Sequence, residues 1–273
     1  MGGERADAED LTESVPDPET IYLRTREEGI RRLQRPFLEE ASTALAAGFD
    51  IVAGIVVLAL FTSELEHHFG KHAAHLAGSL GFGIGFVFLV VGRGELFTEN
   101  FLVPIAGIDR GNGNAFRNLL KLWLVSPFFN IIGGLVIILI LSTHSVLPYG
   151  TGAALVDLGD TVHANGVLAL FMSAVFAGAL ITAMTWFVEG QTSMLVRTVV
   201  AWIAGSMLAL GSFNHVIVVT LELIFGYRYG AHYPWIFILG NFALSAAGNM
   251  VGGLGLVTLN RLTQGRQGSR TQG

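Results

Sequence analysis

Long apolar runs joined by short polar connections dominate the chain from residue 36 onward. Six such stretches lie near 38–62, 76–107, 117–142, 165–188, 194–226 and 233–260. Each meets the requirement of about 20 apolar residues for a helix that crosses a bilayer. The second and fifth are too long for one simple span, and polar residues interrupt each of them. The first interruption reads Gly94-Glu95-Leu96-Phe97-Thr98-Glu99-Asn100, the second Gly211-Ser212-Phe213-Asn214-His215. Gly92 and Gly94 flank the first and Gly205 and Gly211 precede the second, and glycine lets a backbone leave helical geometry. Downstream of each break a short pattern recurs: Asn130-Ile131-Ile132-Gly133-Gly134-Leu135 returns as Asn249-Met250-Val251-Gly252-Gly253-Leu254. The breaks are offset by 117 residues (211 − 94) and the asparagines by 119 (249 − 130).

Two copies of a three-span unit must face opposite ways across a bilayer, because three is odd. The pattern therefore predicts an all-α integral membrane fold of six transmembrane helices in two inverted repeats. Helices 2 and 5 are broken, and a substrate path runs where the copies meet. Residues 1–36 form an N-terminal tail and a charged helix, 37–262 the six-span domain, and 263–273 a disordered tail. The first 20 or so residues are acidic, contain Pro16 and Pro18, and read as disordered. The charged helix over 20–35 has only Ile21, Leu23, Ile30 and Leu33 as a thin apolar set. It lies on the membrane surface, caps the protein, or is simply solvated.

Composition strengthens the membrane reading: 52% of the 273 residues are hydrophobic and 14% charged, against about a quarter charged in an ordinary soluble domain. The absence of cysteine removes disulfides, thiol catalysis and thiolate metal sites. No cleavable signal peptide is visible at the acidic N-terminus. Positive charge sets orientation. Arg5, Arg24, Arg26, Arg31, Arg32 and Arg35 precede span one; Arg110, Arg117 and Lys121 lie between spans two and three; Arg197 marks the fourth connection, and Arg261, Arg266 and Arg270 follow span six. The opposite side carries only Lys71 and Arg228. Both termini are therefore expected in the cytoplasm, with the protein multi-pass in the inner (plasma) membrane.

Lipid cannot satisfy the N–H and C=O groups freed at a helix break, so the breaks must be buried in protein or line a wet cavity. Helix N-termini at such breaks attract anions. His215, deep in span five, is the strongest single candidate, since an intramembrane imidazole can give a hydrogen bond or a proton to a weak-acid anion. Thr98 in the other break offers a hydroxyl, and Phe213 and Asn214 flank His215. The amides of Asn130 and Asn249 can bond to backbone groups freed at the breaks; packing is the favoured reading for Asn130, while Asn249 is expected to face the path near His215. Arg93, Glu95 and Glu99 form a charge cluster best read as structural pairing. Asp50 and Glu222 receive no role. His68, His72 and His75 share a helical face that zinc could use, but no ligand set is complete and solvated histidines are the favoured reading. No cofactor or metal is expected.

At these residues the chain resembles the formate/nitrite transporter family, most like its YfdC-like bacterial inner-membrane branch. The matching pieces are Leu96-Phe97-Thr98, Asn130-x-x-Gly133, Phe213-x-His215 and Gly248-Asn249-x-x-Gly252-Gly253. The resemblance implies an aquaporin-like fold and a homopentamer with a pore through each subunit. Thr98 and His215 would flank the central chamber, with Asn249 close by, and constrictions would fall at Phe82, Phe86, Leu96 and Leu208. The chain departs from the family at three places. Val162 stands where the family has a vestibule lysine, with His163 adjacent as its substitute. Asn214 replaces an acidic residue, and Gly178 replaces a pore asparagine.

The function expected is a channel or transporter for small monovalent weak-acid anions, formate- or nitrite-like, with a proton link through the central histidine. The alternatives are a channel for water or small neutral solutes and a non-conducting membrane scaffold. Nothing suggests an enzyme or a nucleic-acid partner, since no nucleophile–base pair or complete metal set is present.

Overall fold

A computed structural model describes residues 16–108 and 113–271. Residues 1–15 of the acidic stretch expected to be disordered, and Arg110 of the second connection, lie outside the described residues, while the last part of that stretch, from Pro18, is helical. Every described element is helical. Helix α1 (Pro18–Leu33) starts at Asp17, whose carboxylate accepts the Thr20 N–H at 2.7 Å, with Pro18 in the first turn. Helix α2 (Phe37–Val91) follows Pro36 and leaves helical geometry internally only at Gly70, where φ is 79°. The connection expected between spans one and two is thus helical almost throughout. A 3₁₀ turn (Phe97–Phe101) and the short α3 (Val103–Ala106) come next, then α4 (Ala115–Leu141). Helix α5 (Thr151–His163) occupies a connection read from sequence as a loop. It is followed by α6 (Val167–Gly190), α7 (Met194–Leu210), α8 (Val216–Arg228) and α9 (Trp235–Met250), which runs through a π-helical stretch (Val251–Thr258) into α10 (Leu259–Thr271).

Four of these helical segments are long and apolar enough to cross a membrane: Phe37–Val91, Ala115–Leu141, Val167–Gly190 and Trp235–Arg266. Met194–Leu210 is apolar but shorter. Leu124, Leu139, Leu168, Ile236 and Leu239 are all exposed on the outer surface, as befits side chains facing lipid or another apolar surface rather than water.

Small residues bring the long helices into backbone contact. A Cβ at Gly48 would meet the Asn130 carbonyl oxygen at 2.1 Å, and one at Gly133 the Leu45 carbonyl at 2.0 Å. The same arrangement recurs between α6 and α9, where Gly178 faces the Asn249 carbonyl at 2.2 Å and Gly252 the Val175 carbonyl at 1.8 Å. The Asn-x-x-Gly pairs are therefore the contact lines of two equivalent helix pairs. The first helix of each pair is offset by 130 residues (178 − 48) and the second by 119 (252 − 133). The difference of 11 (130 − 119) is the extra length of the first half between these helices.

The expected disordered tail is helical as far as Thr271. It docks on α1: Leu262 is buried beside Leu102, Ala106 and Trp186, with Ile21 and Tyr22 packed against them. Arg266 Nε donates to the Tyr22 hydroxyl at 3.3 Å. The Tyr22 surface that orders this segment comes from the far end of the chain, which local composition does not encode.

Candidate functional site

Helix α2 ends at Val91 and α7 at Leu210, and the two exits repeat bond for bond. Gly92 N–H donates to Phe88 O and Gly211 N–H to Met207 O; Arg93 to Val90 O and Ser212 to Ala209 O; Gly94 to Leu89 O and Phe213 to Leu208 O. Arg93 and Ser212 both adopt the left-handed region, at φ 55° and 47°. The register of the breaks is therefore 119 (211 − 92), the same as that of the asparagines, rather than the 117 read from the sequence. In this register His215 matches Leu96 and Thr98 matches Ile217, so the two polar groups are not equivalent positions.

Each break is clamped by one asparagine. Asn130 Oδ1 accepts the Phe97 N–H at 3.0 Å, and its Nδ2 donates to Ala44 O at 2.8 Å and Glu95 O at 2.9 Å. Asn249 Oδ1 accepts the Val216 N–H at 2.9 Å, and its Nδ2 donates to Ala174 O at 2.7 Å and Asn214 O at 3.2 Å. An amide carries both donor and acceptor, so one side chain serves both kinds of freed backbone group. Asn249 was expected to face the path. Its amide is instead fully engaged with backbone and fully buried, which makes it the counterpart of Asn130.

Other side chains cap the restarting helices. Glu99 Oε2 accepts the Leu96 N–H at 2.9 Å, and His215 Nδ1 accepts the Val218 N–H at 3.4 Å. These N–H groups, expected to attract anions, are thus already bonded within the protein. Asn214 also has structural partners: its N–H donates to Ser173 Oγ, and its side chain exchanges two hydrogen bonds with Asn241, at 2.9 and 3.0 Å.

The two breaks meet at one contact. Thr98 Oγ1 and His215 Nε2 lie 2.8 Å apart, and both residues are 0% exposed. Because Nδ1 accepts a backbone N–H, Nε2 is the protonated nitrogen of a neutral ring and donates to Thr98 Oγ1. That leaves the Thr98 hydroxyl hydrogen available to an acceptor. Phe82, Phe86, Leu96 and Leu208 are all buried in the same apolar cluster, and the Phe82 and Phe86 rings lie 5.9 Å apart.

A cavity lies beside each of the two helix exits, and neither is lined by His215 or Thr98. One, of about 340 Å³, is lined by Leu208, Phe213 and Val218 together with polar groups that include His72, His75 and Glu222. His163 was expected here. Thr161 and Val162 line the wall instead, while the His163 ring packs on Phe237 at 4.5 Å and Tyr233 at 5.7 Å. The other cavity, of about 170 Å³, is bordered by Leu89, Gly94, Glu95 and Glu99 and by Arg31 and Arg32 of α1.

Helix α1 is thus neither solvated nor free. Arg35, just beyond it, donates from Nη1 to Glu95 Oε1; Arg32 Nε lies 3.2 Å from the same oxygen, and Arg32 Nη1 donates to Asn100 Oδ1 at 3.2 Å. Glu95 pairs with these two arginines rather than with Arg93. Burial works against the Glu28 carboxylate, but hydrogen bonds from Arg31 and the charge of Arg32 outweigh it and hold the carboxyl at about 2. This network was illegible in sequence because its partners lie 60 or more residues apart.

The structure thus holds apolar helices long enough to cross a membrane and a buried imidazole–hydroxyl contact between two helix exits, and its relatives are membrane channels and transporters. The sequence profile described as formate/nitrite transporter matches residues 19–262, and the chain belongs to that family. Among characterised sequences it is 27% identical, over 85% of its length and 74% of the relative's, to the inner membrane protein YfdC of Escherichia coli (strain K12). Among solved structures it is similar to a pentameric formate channel with formate bound, at a TM-score of 0.69 and 21% identity, covering 82% of this chain and 95% of that one. It is also similar to a channel described as an FNT family ion channel, at a TM-score of 0.74 and 18% identity, covering 89% and 98%. These likenesses show a shared fold.

Proposed function

We propose that this chain conducts small monovalent weak-acid anions, of the formate and nitrite kind, through a path that runs past Thr98 and His215. The carrying observation is the convergence of two equivalent helix breaks on one buried imidazole–hydroxyl contact. The reading takes α2 on either side of Gly70 as spans one and two, α4 and α6 as spans three and four, α7 with α8 as span five, and α9 onward as span six. The two halves are then inverted repeats in the inner membrane, with both termini cytoplasmic. Phe82, Phe86, Leu96 and Leu208 form the dry constrictions and Phe213 the wall of one vestibule. Five copies assemble, as in the pentameric formate channel that shares the fold, and each copy of this chain carries its own path.

Moving a bare anion through an apolar slit costs several kcal/mol, and neutralising it removes most of that cost. The Thr98 hydroxyl and the His215 ring supply hydrogen bonds where water is excluded. A proton link through His215 requires Nδ1 to release the Val218 N–H. The test is a panel of radiolabelled weak-acid anions in proteoliposomes across pH, with osmotic swelling measured in parallel. Anion uptake that falls in His215→Ala is the expected result; swelling without anion uptake would assign a neutral-solute channel instead.

A further inference from the structure

Glu222 is the one carboxyl of the larger vestibule that pairs with nothing. It is 8% exposed, lines the cavity, and makes no hydrogen bond or ion pair among the described residues. The other charges around that cavity are spoken for. Lys71 lies 3.6 Å from Asp157 and 3.9 Å from Glu66, so two carboxylates already neutralise the one ammonium group. His75 Nε2 engages the Leu210 carbonyl at 3.2 Å, while His72 lies farther along the same wall of α2. Tyr233, close enough to feel the Glu222 charge, gives its hydroxyl hydrogen to Leu223 O at 2.7 Å. The opposite vestibule differs, because there Arg31, Arg32, Arg93 and Arg197 stand among Glu28, Glu95, Glu99 and Glu189.

Position matters as much as isolation. Val218 and Glu222, at i and i+4, share one face of α8, and His215 is the residue that caps its N-terminus. Glu222 therefore sits about 10 Å along the helix axis from His215, in a cavity wall that it shares with Val218, Leu208 and Phe213. Glu222 lines that cavity and His215 does not, so an anion held there meets the Glu222 carboxyl before the buried imidazole. His215 itself is poorly placed to give a proton, since Nδ1 holds a backbone N–H and Nε2–H holds Thr98.

We infer that Glu222 is the proton-exchange residue of this vestibule, transferring its carboxyl proton to an incoming weak-acid anion before the anion enters the apolar slit. The O–H bond of the carboxyl breaks and an O–H bond forms on the anion, giving the neutral acid and the Glu222 carboxylate. A proton from vestibule water restores the carboxyl, and no electrons change hands. In the reverse direction the carboxylate takes the proton from emerging acid. The inference rests on the transport reading above.

The test uses the full-length protein in liposomes, with radiolabelled formate as probe, a trapped pH dye, and protein-free liposomes to subtract passive leak. Wild-type uptake at neutral pH is expected to outrun the supply of free acid, with the lumen acidifying as formate enters. In Glu222→Gln only acid already present in bulk can pass. Uptake near pH 7 then falls ~10-fold or more and climbs about ten-fold for each unit that external pH is lowered. Glu222→Asp, which keeps a titrating carboxyl, restores the wild-type profile. An unchanged rate and pH profile in Glu222→Gln would overturn the inference. Wild-type liposomes that take up no formate would instead sink the transport reading. An infrared pH titration of the purified protein then decides the residue by itself. A protonated-carboxyl band that is lost in Glu222→Gln and moves on adding formate supports the site, and its absence from the wild type overturns it.

Discussion

Replacing Asn249 with leucine tests whether the breaks are held by their asparagine clamps. Leucine has nearly the same volume, so the change opens no large cavity, but it removes three buried hydrogen bonds. Ala174 lies inside α6, where its carbonyl also accepts a helical bond. The Val216 N–H and the Asn214 carbonyl have no such alternative, and burial denies them water. Each stranded group costs about 1–3 kcal/mol, so the pair costs roughly 2–6 kcal/mol. The same reckoning applies to Asn130→Leu, which strands the Phe97 N–H and the Glu95 carbonyl. Reversible unfolding in mixed micelles reads both losses. Asn165→Leu serves as the control: it removes only a local bond to Thr161 O at an exposed position and should stay within about 0.5 kcal/mol of wild type. If Asn249→Leu unfolds like wild type, or if only one of the two clamps matters, the equivalence of the breaks is refuted.

Other expectations follow from the same geometry. Thr98→Val keeps the shape but removes the free hydroxyl hydrogen, and should lower uptake in liposomes by about two- to ten-fold, the worth of one hydrogen bond to a neutral group. Gly178→Leu places a side chain against the Asn249 carbonyl, where even a Cβ sits 2.2 Å away. It should abolish assembly on size-exclusion chromatography, as should Gly48→Leu in the other half. The Glu28 carboxyl sits at about 2 in the folded protein against an ordinary 4.5, so its contribution is present above about pH 4.5 and fades as pH falls toward 2. Hydrogen-exchange protection across residues 18–33, corrected for the intrinsic pH dependence of amide exchange, should therefore fall on acidification through that window, and unchanged protection would remove Glu28 from the docking of α1.

The apolar spans, the interruptions and the Asn-x-x-Gly lines were legible because each is a local pattern with a direct physical meaning in a bilayer. The register of the breaks was not. Gly94 looks like the partner of Gly211 in sequence, yet the bonds that end the two helices pair Gly92 with Gly211. The bonding of the Asn130 and Asn249 amides to backbone freed at the breaks was legible from residue type and place, while the exact partners of Asn249 needed coordinates. Helix α5 went unseen because its small residues pack on distant rings, Gly152 against Tyr229 and Gly159 against Tyr233. The docking of α1 depends on Arg32 and Arg35 finding Glu95 and Asn100, a pairing that charge patterns along the chain do not specify. Glu222 reads as one more acid at a helix end until the cavity around it and its missing partner are known.

The account stands on an anion path through the Thr98–His215 contact, and the most direct measurement is a high-resolution cryo-electron microscopy map of the protein in nanodiscs soaked with nitrite. The expected map has five copies, each with nitrite density within hydrogen-bond distance of Thr98 Oγ1 and the His215 ring. A map in which nitrite occupies only the shared axis between copies, with Thr98 and His215 sealed and unaltered, would contradict it.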